Sequence, residues 1–229
     1  HLVLRRQRQM CIRDSYERAK SELEAAGAIL VEDPFAGTDF ASYRQVTPGT
    51  PFFDGRGLES IAYDMTCYLK RLGESAAVKT WDEFAEATHI EEVTGKGTIL
   101  GYLHELPDFV EAIKSPGTPP AMPQFVELKR RYLDILKEVF DRHNLDGLVY
   151  PQMIEELPEL HSGDAIRETT VGELNIAGLP AVTVPAGYYN SGAPFELIFL
   201  GQKWSEPELI QQAYAYEQST LHRKAADLS

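Results

Sequence analysis

This 229-residue chain predicts an α/β architecture, with a central sheet flanked by helices, and three observations carry that prediction. A helix-forming stretch followed by a glycine and a short apolar run occurs at 16–31. The same order returns at 125–150, where His143 to Gly147 supply the stop. Two more apolar runs, at 181–184 and 195–200, are joined by a turn-rich segment and followed by a helix with a strong start signal.

The elements follow in chain order. From Tyr16 to Ala26 the residues are mostly helix formers, and Gly27 stands where a C′ glycine ends a helix. Ala28-Ile-Leu-Val31 then reads as a short buried strand, broken at Glu32-Asp-Pro34. Residues 34–57, crowded with Gly, Pro, Thr and Phe, read as a long irregular connection. Leu58 to Leu72 predicts a helix, and Thr80-Trp-Asp-Glu83 has the capping-box spacing that opens another, from Trp81 to about Thr88. The proline-rich stretch 115–123 continues no helix. Beyond it Phe125, Leu128, Tyr132, Ile135, Leu136 and Val139 recur at three- and four-residue steps with charged residues between them, the clearest amphipathic pattern in the chain. Leu148-Val-Tyr150 is the second short strand. Thr170-Val-Gly-Glu173 repeats the capping-box spacing before a short helix closed by Gly178. Ala181-Val-Thr-Val184 and Phe195 to Leu200 form a long hairpin. Ser205-Glu-Pro-Glu208 combines an N-cap serine with a first-turn proline, and the last helix is expected to reach about His222–Lys224, whose cations suit a helix C-terminus.

Composition narrows the function classes. With 43% hydrophobic and 25% charged residues the chain is an ordinary globular sequence, neither disordered nor collagen-like. A net charge of −13 opposes binding to phosphate backbones or anionic lipid, so neither nucleic acid nor membrane is an expected partner. No apolar run approaches the roughly 18–20 residues of a membrane helix. Cys11 and Cys67 cannot make a disulfide framework, and Cys67 reads as a core residue of a helix. The six histidines never fall at ligand spacing, so no metal and no cofactor is expected. His161-Ser-Gly-Asp164 reads as a solvated loop. Gly95-Lys-Gly-Thr98 lacks the first glycine of a phosphate loop and follows Glu91-Glu92, and Gly55-Arg-Gly57 is too short to signify. The acid pairs Glu91-Glu92 and Glu155-Glu156 read as solvated faces rather than paired catalytic carboxylates. Residue by residue, nothing here assembles a catalytic constellation.

The first fifteen residues differ from the rest. They carry four arginines and one aspartate, a net of 4 − 1 = +3, against −13 − 3 = −16 for the other 214. Gln9-Met-Cys-Ile-Arg-Asp-Ser15 resembles the translation of a transposon adapter end used in DNA library preparation. Residues 1–15 are therefore expected to be a non-native leader, with a genuine basic arm as the alternative, and residues 16–229 to form the folded part.

Four stretches together carry a family resemblance. They are Asp146-Gly-Leu-Val-Tyr-Pro151, Thr169 to Gly187 (TTVGELNIAGLPAVTVPAG), Pro194 to Gly201 (PFELIFLG) and Glu208 to Glu217 (ELIQQAYAYE). Their order and spacing resemble the C-terminal part of the amidase signature family, which implies the C-terminal half of an α/β/α fold with a central mixed sheet flanked by helices. The resemblance implies hydrolysis of carboxamide C–N bonds through a serine acyl-enzyme. In such enzymes a lysine deprotonates a bridging serine beside a cis peptide bond, that serine activates the nucleophilic serine, and backbone N–H groups hold the oxyanion. The bridging serine lies in a Gly/Ser-rich segment with consecutive serines. This chain has no Ser-Ser and no Gly-Gly, so no catalytic residue carries over and the chain alone is expected to be inactive. By position Tyr150, Thr170 and Asn175 are the expected walls of the substrate pocket. The plainer roles open to two of them are an N-cap for Thr170 and local backbone contact for Asn175. The expected partner is a small-molecule or peptide amide substrate of the full-length enzyme, with a homodimer left open and the cytoplasm as the default location. The alternative function is a non-catalytic binding or scaffold module that keeps the amidase fold.

Overall fold

The computed structural model describes residues 2–44, 54–90, 101–159, 161–162, 166 and 169–225, with side chains from Ile12 onward. Gly95–Thr98, Glu91-Glu92 and half of the 161–164 loop lie outside them. The main elements are α1 (Leu2–Ala25), α2 (Ile61–Arg71), α3 (Trp81–Thr88), α4 (Pro107–Ala112), α5 (Pro123–His143), β1 (Leu148–Pro151), α6 (Gly172–Ala177), β2 (Ala181–Tyr188), β3 (Pro194–Leu200) and α7 (Glu206–Thr220). The chain divides into two compact units, one of His1–Tyr43 with Lys129–Ser229 and the other of Arg44–Leu128.

The first unit holds the sheet, in the order β1-β3-β2. Leu148 pairs with Leu200 and Tyr150 with Ile198 on one side of β3, while Val182 pairs with Phe199 and Val184 with Leu197 on the other. Helices and sheet are layered as expected. Among the described residues every strand pairing is antiparallel, so the parallel pair that a mixed sheet needs is not among them. Strand β3, the central strand, is apolar apart from Glu196. Phe195, Leu197 and Phe199 alternate onto one face and share a core with Ile12, Ala19 and Leu23 of α1 and Leu209, Ala213 and Tyr216 of α7. Ile198 and Leu200, on the opposite face, are equally buried. Each such side chain contributes about 1.5–3 kcal/mol on full burial. Strand β2 continues past the expected Val184 through Pro185, which a sheet tolerates on an edge strand or at a bulge. The register shifts between Pro185 and Tyr188, and Gly187 sits in that bulge with φ +122°.

Helix ends follow the sequence signals closely. Gly27 (φ +98°) closes α1 with Ala28 N–H donating to the Leu23 carbonyl, and Gly178 (φ +68°) closes α6. Helix α5 buries Leu128, Tyr132, Leu136 and Val139, the face that its periodicity marks, and stops at Asn144 in the left-handed region. Helix α1 runs without a break across residue 15, and Ile12 and Ser15 are both buried.

Three local expectations are corrected. Ala28–Val31 is not a strand: Leu30 packs on the core, but Ile29 is 94% exposed. The segment has the apolar content of a strand, but it pairs with neither edge of the described sheet, and a strand without a partner is no strand. Ser205 caps no N–H: its backbone lies at φ −98°, ψ 21° rather than in the extended region of an N-cap, and its hydroxyl donates to the Gln202 carbonyl at 2.8 Å. Helix α7 ends at Thr220, two residues early, where Leu221 turns left-handed (φ 52°) and His222 turns to meet Glu22.

The second unit packs α2, α3 and α4 around Ala62, Trp81, Leu103, Leu106 and Phe109. Thr80 is a true N-cap of α3, its hydroxyl accepting from Glu83 N–H at 3.2 Å. In α2 Ala62, Thr66 and Leu69 face inward, and Cys67 is only half-buried. No helix among the described residues is long and apolar enough to cross a membrane.

Candidate functional site

The site expected at Tyr150, Thr170 and Asn175 is built where the end of β1 meets the approach to α6. Tyr150 is carried on β1 opposite Ile198, on the face of β3 away from α1 and α7. The chain leaves β1 through Pro151 and Gln152, and the segment before α6 comes back beside it, with Met153 bridged to Thr169. Thr170 locks this return. Its hydroxyl lies 2.7 Å from the Pro151 carbonyl and 2.9 Å from that of Gln152, and its N–H donates to Gln152 at 3.1 Å.

The N-cap role open to Thr170 is therefore not the one it takes. The cap position belongs to Val171, which offers no side-chain acceptor. The physical reason is the end of β1. Without the hydroxyl, the Pro151 carbonyl at the last ladder pair would lose a hydrogen bond, while the Gln152 carbonyl would keep the one from Thr170 N–H. Asn175 is exposed on α6, and its N–H bonds within the helix to Val171. The structure thus brings Tyr150 and Thr170 together on one connection and sets Asn175 on the outer face of the adjoining helix.

One further residue joins them. Burial pushes the Tyr150 phenol well above its ordinary value, and the nearby Glu173 carboxylate pushes it further. Tyr150 is therefore a neutral hydrogen-bond donor throughout the physiological range, beside a carboxylate from the first turn of α6. Glu196 on β3 is also raised by burial, and its carbonyl receives Gln152 N–H at 3.2 Å. The Thr-x-x-Glu spacing marks Glu173 only as a capping partner. Its proximity to Tyr150 depends on the chain returning after some twenty residues, for which no short-range signal exists. The chemistry available here is polar recognition, by a neutral phenol and one or two carboxylates. No nucleophile–base pair is formed among these residues. The pair Glu155-Glu156 adds none, since Glu156 accepts from Ser191. Among the described residues no cluster of His, Cys, Asp or Glu could hold a metal ion.

No family model matches the chain. The Arabidopsis thaliana protein named "Probable amidase" is 46% identical over 76 residues, which are 31% of this chain and 14% of that protein. A glutamyl-tRNA(Gln) amidotransferase component of Methanococcoides burtonii is 33% identical over 101 residues, 40% of this chain and 21% of that protein. Among solved structures, the native peptide amidase of Stenotrophomonas maltophilia superposes with a TM-score of 0.57 at 25% identity, covering 92% of this chain and 40% of that one. The chain therefore spans well under half the length of the relatives it matches. Amidases and an amidotransferase component agree with one another and with the layered fold, and over the matched stretches the chain is similar to amidase signature enzymes.

Proposed function

We propose that this chain is the C-terminal part of an amide C–N hydrolase working through a serine acyl-enzyme, with the lysine and both serines supplied by sequence upstream of it. The observation that carries the proposal is the agreement between a 46% identical stretch shared with a plant amidase and a peptide-amidase fold covering 92% of the chain. The absence of any Ser-Ser or Gly-Gly pair supports placing the catalytic segment outside these 229 residues. Residues 1–15 are taken as a leader foreign to that enzyme, as their charge and the adapter-like Gln9–Ser15 suggest. In this proposal Tyr150 and Thr170 shape one wall of the pocket. Tyr150, held neutral, donates to the substrate carbonyl or to a polar group beside it, Thr170 fixes the turn that presents Tyr150, and Asn175 lines the rim. The substrate is a small-molecule or peptide amide.

The test is to recover and resequence the DNA upstream of codon 16. An open frame with a lysine followed by a Gly/Ser-rich segment containing paired serines supports the hydrolase, and the joined protein should release ammonia from primary carboxamides. In that protein Y150F should raise KM with kcat little changed, the signature of lost ground-state binding. A start codon near Tyr16, or an upstream half without the serines, would overturn the hydrolase and leave the binding or scaffold module.

A further inference from the structure

We propose that the first unit carries an oxyanion-binding cleft, formed where α1, the bulge of β2 and the segment after α7 meet, with Arg18, Tyr188, His222 and Lys224 as its polar walls. The cleft has a volume of about 340 Å³ and is completed by Gly187 and Leu221. None of these six residues is acidic, in a chain whose net charge is −13. Three basic side chains from two separate stretches of chain, α1 and the tail after α7, thus converge on one opening, against the sign of the whole molecule.

Each of them is held by its own contact. Arg18 Nη2 donates to the Ala186 carbonyl at 3.0 Å, which fixes the guanidinium over the bulge. His222 Nε2 lies 2.9 Å from both Glu22 carboxylate oxygens, and Glu22 also accepts from the Tyr216 hydroxyl at 2.7 Å. The same carboxylate stands 3.8 Å from Arg18 Nε, one helical turn away on α1. Lys224 N–H donates to the Tyr188 hydroxyl at 3.0 Å, and its ammonium stands 4.9 Å from the centre of the Tyr188 ring. Having accepted from Lys224, the Tyr188 hydroxyl keeps its own proton to donate. Arg18 and Lys224 supply two positive charges to the cleft, and the Glu22 carboxylate behind it offsets one of them.

The backbone is shaped for the same opening. Gly187 has φ +122°, and a Cβ there would fall 2.3 Å from Arg18 Nη2. Any larger residue would push the guanidinium away from the Ala186 carbonyl that positions it. The bulge also interrupts the ladder between Pro185 and Tyr188. A guanidinium, an ammonium and a phenol proton at the mouth of one cleft match the oxygens of a carboxylate or a phosphate, the groups that charge-assisted donors bind best. Leu221, 72% exposed, gives the rim an apolar edge suited to an organic anion.

The experiment titrates the 229-residue chain with inorganic phosphate and, separately, with benzoate at constant ionic strength, following backbone amide NMR signals. Saturable shifts centred on Gly187, Tyr188 and His222 are expected. R18Q and K224Q should each weaken binding about tenfold, the worth of one charge-assisted contact, while K137Q on α5 should leave it unchanged. Tighter benzoate binding assigns a carboxylate and tighter phosphate binding assigns a phosphate, and either supports the site. Shifts that grow linearly without saturation, or variants that bind like the native chain, overturn it. K224Q keeps the test decisive even if R18Q disturbs the bulge, because the Lys224 contact to Tyr188 Oη is made through the backbone N–H.

Discussion

The segments Thr80–Glu83 and Thr170–Glu173 share the Thr-x-x-Glu spacing of a capping box, yet their hydroxyls serve different masters. At Thr80 the backbone is extended (φ −129°, ψ 162°), the hydroxyl accepts from Glu83 N–H, and the Glu83 carboxylate accepts from Lys79 N–H at 2.7 Å. The interaction is local and closes within five residues. At Thr170 the cap shifts one residue on, to Val171 (φ −95°, ψ −7°), and the hydroxyl reaches back nearly twenty residues to Pro151 and Gln152. A spacing rule counts only the orphan N–H groups of the helix about to start. It does not count the orphan carbonyls of a strand that ended earlier and lies alongside, and at Thr170 those carbonyls win.

This contrast can be broken by substitution, and the larger effect is expected at Thr170. T170V keeps the shape of the side chain and removes its donor, leaving the Pro151 carbonyl short of a partner at a cost of about 1–2 kcal/mol, while the Gln152 carbonyl keeps the backbone N–H of residue 170. Urea denaturation should show that loss, and T170S should recover most of it. A T170V chain as stable as the native one would mean that the hydroxyl closes nothing. T80A should cost about 1 kcal/mol, the usual loss for a missing N-cap, and T80D should be tolerated because Asp caps equally well. The reverse pattern, with Asp accepted at 170 and rejected at 80, would show that the two roles are exchanged. E83A should give a smaller loss than T80A, since it removes only the reciprocal half of the box, to Lys79.

Much of the fold was legible because its signals are local. The Phe125–Val139 periodicity marks the buried face of α5, Thr80 marks the start of α3, and Gly27 and Gly178 adopt the left-handed geometry that their positions imply. What was not legible depends on partners distant in sequence. Ala28–Val31 has a strand's composition, but among the described residues no strand lies beside it. Strand β2 passes through Pro185 because the missing N–H falls where the ladder is about to break. At the candidate site, family likeness pointed to Tyr150, Thr170 and Asn175, and the bond network ties Thr170 to Pro151 and Gln152 at the end of the strand that carries Tyr150. Glu173 and the basic cleft at Arg18 were invisible, since each is assembled by chain returns that no spacing encodes.

The smallest effect is also the most specific to the contrast between the two boxes. Glu83 belongs to its cap, whereas Glu173 acts on Tyr150, so neutralising Glu173 should register in a titration more than in a denaturation midpoint. Tyr150 has its folded-state pKa raised above the unfolded value, about 10 for tyrosine. The folded state therefore favours the neutral phenol. The resulting stability is fully present below pH of about 10 and is lost as the pH climbs through the raised folded value, where only the unfolded chain gains from ionising. Burial is the larger cause of the shift and survives in E173Q, while the carboxylate's share does not. E173Q should thus bring the phenolate absorbance of Tyr150 in at lower pH, with Y150F identifying the signal, and it should flatten the alkaline loss of stability. An unchanged Tyr150 titration in E173Q would separate Glu173 from the site and return it to the role its spacing suggests, a residue of the helix start.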